Sequence, residues 1–247
     1  MFNELGGMNL LERRRVRTGI EGLDYLLSGG LPEGRTYLVA GEAGTGKTIF
    51  ALQYVYKGVE YEENGVYVTI DERPEHIVED ALTIGWDLEK LVDENKLMLV
   101  ELTPYFASVK KINAEKIVED LKGFIDEIKA KRLVIDPIAP LIIRSEEAID
   151  LISAEFYVRN YIRSLIFSLD ELNVTTIATS EIPTGTNKLS RYGVEEFLAS
   201  GVIVLSLRRV NGTFSREIYI RKMRGVEHNM DVHTFIIQKG RGIVISL

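Results

Sequence analysis

Cysteine is absent from the 247 residues, and there are only three histidines, six prolines and one tryptophan. Without cysteine the chain has no disulfide, no thiolate metal site and no thiol nucleophile. Three histidines and no cysteine are too few ligands for a dedicated zinc centre. No apolar run is long enough to cross a bilayer, and the first residues lack the apolar segment of a secretory leader. The expected compartment is therefore the cytoplasm, with no membrane partner. The Asn-x-Thr triplets at Asn173 and Asn211 are then chance matches, not glycosylation sites. Positive charge is also short: the net charge is −7 and the pI about 5.2. That disfavours broad adhesion to nucleic acid and leaves only local basic patches to consider.

What is present is ordinary for a globular α/β chain, with 45% hydrophobic and 27% charged residues. Short runs rich in Val, Ile, Tyr and Thr predict strands at Thr36–Ala40, Val66–Ile70, Leu97–Glu101, Leu133–Ile135, Val174–Thr179 and Val202–Leu207. Further strands are predicted at Glu217–Arg221, Thr234–Ile237 and Ile243–Ser246. Helical spacing predicts helices at Thr48–Glu62, Pro74–Ile84, Ala114–Lys131 and Ala154–Leu172. In the third of these, Ile117, Leu121, Phe124, Ile125 and Ile128 recur on one face. Helices between strands imply βαβ units and a mainly parallel twisted sheet flanked by helices. Toward the end the helices stop, and turns such as Asn211-Gly212 imply a C-terminal antiparallel strand extension. No repeat or linker divides the chain, so a single domain over residues 17–247 is expected after an arm at 1–16. Gly6-Gly7 and the Arg13-Arg14-Arg15 run lie in that arm. The run reads either as a solvated tail or as a contact to another subunit or to nucleic acid.

The chemistry centres on Gly41-Glu42-Ala43-Gly44-Thr45-Gly46-Lys47-Thr48, a full G-x-x-x-x-G-K-[ST] phosphate loop (Walker A). Glycines let the backbone curl so that successive N–H groups face a polyphosphate. Lys47 reaches the outer phosphates and the Thr48 hydroxyl ligates Mg²⁺. The run Tyr37-Leu38-Val39-Ala40 leads in as a strand, and Ile49-Phe50-Ala51-Leu52 leads out as a helix, whose N-terminus adds positive potential. A chance glycine-rich turn would lack that context.

Two strand ends supply acids. Leu133-Val134-Ile135 ends in Asp136, placed to hold Mg²⁺ through water; alone it would read as a turn cap before Pro137. Tyr67-Val68-Thr69-Ile70 ends in Asp71-Glu72, either of which could orient the water that attacks the γ-phosphate; the alternative is that both cap the helix near Pro74. His76 and His233 read as surface and structural residues, and His228 reads equally as a turn residue. Trp86 reads as a core anchor, and Tyr25 and Tyr54 as pocket borders or packing residues.

The stretch from Thr18-Gly19-Ile20-Glu21-Gly22-Leu23-Asp24 through Gly29-Gly30-Leu31-Pro32-Glu33-Gly34 into the phosphate loop resembles the KaiC-like branch of the RecA superfamily of P-loop ATPases. Gly85-Trp86-Asp87-Leu88, Thr175–Glu181, Tyr192-Gly193-Val194-Glu195-Glu196-Phe197, Lys222-Met223-Arg224-Gly225 and His228 extend the resemblance over nearly the whole chain from about Val16. It implies a RecA-like core and a homohexameric ring with ATP between neighbours. It also implies that Lys222 and Arg224 reach the γ-phosphate of the adjacent subunit, as an arginine finger does. On the residues alone, Arg221, Lys222 and Arg224 would be the decoration of an exposed strand. The family's acid pair is commonly Glu-Glu; Asp71-Glu72 is one methylene shorter at the first position, which shifts weight to Glu72. Ser180 and Glu181 match the family's nucleotide-sensing strand end, ahead of a channel-facing loop at Pro183–Tyr192.

Three functions fit these residues. The first is a slow Mg²⁺-dependent ATPase binding ATP and ADP, acting as a regulatory or signalling switch. The second is a recombination-type ATPase contacting DNA through Lys188, Arg191 and Arg208-Arg209; the acidic net charge and the lack of stacking aromatics in the loop disfavour it. The third is a nucleotide-binding scaffold without hydrolysis. None names a protein partner.

Overall fold

The computed structural model describes residues 14–102, 114–141, 151–186 and 188–247, with the side chains of 151–154 outside that description. The arm residues before 14, and residue 187 in the Pro183–Tyr192 loop, also lie outside it.

Runs such as Val66, Tyr67, Val68 and Leu133, Val134, Ile135 are apolar at consecutive positions, and all are fully buried. A strand with that pattern must be covered on both faces, which is the condition for a parallel sheet between helices. Among the described residues the strands are β1 (Arg15–Val16), β2 (Leu31–Pro32), β3 (Thr36–Gly41), β4 (Gly65–Thr69), β5 (Leu97–Glu101), β6 (Arg132–Asp136) and β7 (Thr175–Glu181). After these come β8 (Gly201–Val210), β9 (Thr213–Met223), β10 (His233–Gln238) and β11 (Gly242–Ile245). The helices are α1 (Leu23–Leu26), α2 (Lys47–Gly58), α3 (Pro74–Thr83), α4 (Leu88–Asp93), α5 (Ala114–Ile128), α6 (Leu151–Glu171) and α7 (Glu195–Leu198).

The large sheet runs β11-β10-β9-β8-β3-β7-β6-β4-β5. From β8 to β5 every pairing is parallel, and β9, β10 and β11 continue it antiparallel. The expected fold class holds. Alternate residues of β3 point to separate cores. Tyr37 and Val39 join Phe50, Leu52, Tyr54 and Val55 of α2 on one face. Leu38 and Ala40 join Ile117, Leu121 and Ile125 of α5 and Ile162 and Leu165 of α6 on the other.

The Asn211-Gly212 turn has positive φ at both residues (49° and 86°), the geometry that matches the twist of a two-residue hairpin. The predicted first helix stops at Gly58 and continues as a short 3₁₀ turn to Tyr61. Helix α4 was not predicted; its signal is Asp87, whose carboxylate accepts from the Lys90 N–H at 3.0 Å. At the end of the expected arm, Arg15 and Val16 pair with Pro32 and Leu31, and Val16 is buried.

Two buried polar clamps fix this frame. The Gln53 amide on α2 donates to the Gly19 and Arg241 carbonyls at 3.1 Å each and accepts from the Ile243 N–H at 2.6 Å. That ties the C-terminal hairpin to the helix that follows the phosphate loop. Arg132, fully buried, donates to Glu63, to the Tyr54 carbonyl at 2.6 Å and to the Arg17 carbonyl at 2.8 Å. Every partner it needs lies at the amino end of β6, so the clamp is structural. The Tyr54 hydroxyl likewise serves packing, donating to the Thr175 carbonyl at 3.0 Å. Trp86 is a core residue stacked on Tyr56.

Candidate functional site

β3 ends at Gly41, and the chain turns through residues 42–46 into α2. Gly44 and Gly46 have φ of 77° and 105°, a left-handed conformation that turns consecutive N–H groups inward. Gly41 has a separate reason: a Cβ there would lie 2.6 Å from the Leu205 carbonyl oxygen and from Thr45 Oγ1. The Thr45 hydroxyl donates to the Glu42 carbonyl at 2.9 Å and holds the loop's shape. No side chain caps the N-terminus of α2, so its first N–H groups have no built-in side-chain acceptor and are suited to an anion.

Lys47 donates to the Glu42 carbonyl at 2.9 Å, folded over the loop. Burial lowers its pKa, and the nearby carboxylates of Glu181 and Asp136 oppose that shift. A partly desolvated ammonium among carboxylates is placed to receive phosphate oxygens.

The acids converge from three strand ends. Asp136 accepts from the Tyr67 hydroxyl at 2.6 Å and from the Thr179 hydroxyl. These two donors fix the carboxylate level with Thr69 on β4. Just beyond, burial raises the pKa of Asp71, with further contributions from Glu181 and Asp136. Glu72 is raised chiefly by burial, then by Asp80 and Asp136, with His76 opposing. Two carboxyls poised above their ordinary range beside a phosphate loop are suited to accept a proton from water. Glu181 lies level with Gly41 across the β3–β7 pair, and Ser180, fully buried, accepts from the Arg191 N–H at 3.1 Å.

Among the described residues, no three His, Asp or Glu side chains gather closely enough to enclose a metal ion. The available donors, the Thr48 hydroxyl and the firmly held Asp136 carboxylate, fit Mg²⁺. That ion takes few protein ligands and completes its octahedron with phosphate and water oxygens.

Lys222 and Arg224 lie elsewhere. Lys222 pairs with Val202, level with Leu38, and the Arg224 N–H donates to the Ser200 carbonyl, whose own N–H reaches Thr36. Both therefore sit at the amino end of β3. The Lys222 ammonium donates to the carbonyls of Glu196, Phe197 and Ala199 at 3.0, 3.1 and 2.7 Å. The Arg224 guanidinium donates to the Phe197 carbonyl at 2.8 Å. Burial and the adjacent Arg224 lower the Lys222 pKa to about 8, with Glu196 opposing.

Sequence reading passed over Arg216. It stands directly across from Phe235 and Leu207, and the Phe235 ring lies beside Gly46. Its Nε is buried without a hydrogen-bond partner. The signal was available: Ile218 and Ile220 alternate on the face toward α2, and the next inward position is an arginine.

A doubly covered, mainly parallel sheet with this loop at the end of β3 defines a P-loop ATPase of the RecA superfamily. More narrowly, the chain belongs to the KaiC-like ATPase family: the family described as "ATPase: KaiC" matches residues 16–247. The circadian clock oscillator protein KaiC of Thermostichus vulcanus is 35% identical over 236 residues, covering 94% of this chain and 44% of that protein. KaiC of Synechococcus elongatus is 34% identical over 227 residues, covering 90% and 42% respectively. The chain thus spans less than half the length of these curated relatives. A crystal structure of a KaiC-like protein from Pyrococcus horikoshii OT3 is 42% identical, with a TM-score of 0.81, covering 96% of this chain and all of that one. No described helix is long and apolar enough to cross a membrane.

Proposed function

We propose that this chain is a Mg²⁺-dependent ATPase that hydrolyses ATP at the boundaries between copies of itself in a hexameric ring, and serves as a nucleotide-driven regulatory switch. The observation that carries this reading is the separation of two cationic sets. Arg224 is level with Thr36, five residues from Gly41, or about 17 Å along an extended strand. Its side chain is turned to α7 and away from its own phosphate loop, so a phosphate that it neutralises belongs to another copy.

In this mechanism the loop N–H groups from Gly41 to Thr48 and the Lys47 ammonium hold the β- and γ-phosphates. Thr48 and Asp136 would hold Mg²⁺, which when bound would supply positive charge to offset that of the phosphate oxygens. Asp71 or Glu72 orients the attacking water and accepts its proton. Lys222 and Arg224 of the adjacent copy neutralise the charge that develops on the transferred group. Ser180 and Glu181 lie at the root of the loop, where the loss of the γ-phosphate would be felt.

The test is ATP turnover by the purified protein with Mg²⁺, with assembly followed by light scattering and Arg224→Ala run in parallel. Turnover lost in the variant while the ring persists supports the reading. Full turnover in the variant sinks it, and binding without turnover in wild type leaves a scaffold.

One surface favours a second reading, contact with nucleic acid. At the β8–β9 hairpin tip Arg209 pairs with Phe214, which is 68% exposed, and Arg208 is adjacent. An aromatic beside arginines suits base stacking. DNA-stimulated turnover that Phe214→Ala abolishes would favour it, and no binding at low salt would remove it.

A further inference from the structure

Glu195 and Glu196 are buried acids, 0% and 9% exposed, that lie outside the phosphate loop and are not among the carboxylates acting on Lys47. Their partners are a hydroxyl and the backbone. Both carboxylates meet the fully buried Ser190 hydroxyl, Glu195 at 2.6 Å. Glu195 also accepts from the N–H groups of Tyr192 and Val194 at 3.3 and 3.1 Å, and the Gly193 N–H donates to Ser190 Oγ at 3.1 Å. Residues 190–194 are thereby wound onto the first turn of α7. From that winding the Arg191 N–H reaches Ser180 Oγ. Ser180 is one residue from the level of Gly41, whose carbonyl accepts from the Ile182 N–H at 3.0 Å. Hydrogen bonds joined by one or two residues of chain thus run from the root of the phosphate loop to the start of α7.

The far end of α7 holds the two cations. A helix of four residues leaves nearly all its carbonyls without helical partners, and Lys222 and Arg224 take that role. An ammonium has three N–H groups, and Lys222 spends one on each of three carbonyls. To donate to a phosphate it must release at least one of them. The arrangement seen is the one with Lys222 parked on α7.

We propose that α7 is a latch that withholds Lys222 from the nucleotide of the adjacent copy, and that Glu195 and Ser190 tie this latch to the Ser180 end of β7 beside the copy's own phosphate loop. The proposal rests on the ring reading above and adds a coupling between successive sites. A change of anion at one loop shifts residues 190–194 and α7, and so changes the availability of Lys222 to the next site. Glu195 and Ser190 are positioning residues, since they act through residues 190–194 and α7. The consequence is cooperative turnover.

The measurement is the ATP dependence of turnover by the assembled full chain, with affinity for a fluorescent ATP analogue and ring size followed separately. Wild type is expected to show a Hill coefficient above one. Ser190→Ala should bring it to about 1 with analogue affinity within about twofold, and Ser190→Thr, which keeps the hydroxyl, should restore it. A wild-type coefficient of one, or an unchanged coefficient in Ser190→Ala, overturns the latch. Should Ser190→Ala fail to assemble, amide exchange in the wild-type ring decides: ATP should change protection across residues 190–198 by about threefold or more, and no change overturns the proposal. Arg224→Ala separates the two levels. Turnover retained there removes the ring reading itself, whereas turnover lost there with cooperativity intact in Ser190→Ala removes only the latch.

Discussion

The two ends of β3 are built in opposite ways. At its carboxyl end, eight consecutive residues from Gly41 to Thr48 form the phosphate cradle. At its amino end, Thr36 meets Ser200 and the Asp170 carboxylate of α6, and Ser200 in turn meets Arg224, residues brought together from three distant stretches. The first end uses backbone N–H groups, which only a contiguous run can aim at one anion. The second uses long cationic side chains, which cross-strand register can deliver from anywhere. A contiguous site can bind within one molecule, while the delivered cations here lie toward the other end of the strand, bonded to carbonyls of α7 and Ala199.

The largest expected effect tests that division. Arg224→Ala should lower kcat by about 1,000-fold or more, the scale of a missing arginine finger, while nucleotide binding changes little. A mixed ring of Arg224→Ala and Lys47→Ala subunits should recover part of the activity, because some boundaries then pair an intact loop with an intact finger. No recovery would collapse the two ends into one site. Next in size is the acid pair. The double variant Asp71→Asn with Glu72→Gln should lose about 100- to 10,000-fold in kcat, and comparison of the single variants by single-turnover assay identifies the base.

A third measurement isolates architecture at the amino end. Glu63→Ala leaves Arg132 buried without its carboxylate and should destabilise the fold by about 3 kcal/mol or more in denaturant titration. Below the unfolding transition its kcat should match wild type; a selective loss of kcat would show that the clamp reaches the chemistry.

The smallest effect is in the pH profile. Lys222 acts as a cation and its pKa is lowered to about 8. Activity that depends on it is therefore present below that pH and falls as pH rises through it, by about tenfold per unit at most. Lys222→Arg should move this alkaline limb upward. The acid limb follows Asp71 and Glu72, whose pKa values are raised: activity is lost as pH falls through a range above that of ordinary carboxylates.

Several parts of this molecule were legible before any coordinates. The parallel core was visible because strands covered on both faces must be apolar at successive positions, as in Val66–Val68. The hairpin was visible because Asn211-Gly212 tolerates positive φ twice. Helix α4 escaped because six residues are too few to establish a helical period. The four-residue α7 escaped for the same reason, and the burial of its two glutamates has no signal in the local sequence. Arg216 escaped because its alternation with Ile218 and Ile220 points inward only once the sheet shows which face of the strand is covered.

The sequence by itself determined the phosphate loop, the acids at two strand ends and the class of fold, because each depends on neighbours within a few residues. Only the tertiary structure decided that Lys222 and Arg224 lie at the amino end of β3, bound to α7, and that Asp136 and Glu181 lie near both Lys47 and Asp71. Those facts depend on strand order and register, which are set by how the two faces of the sheet pack and by no local run of residues.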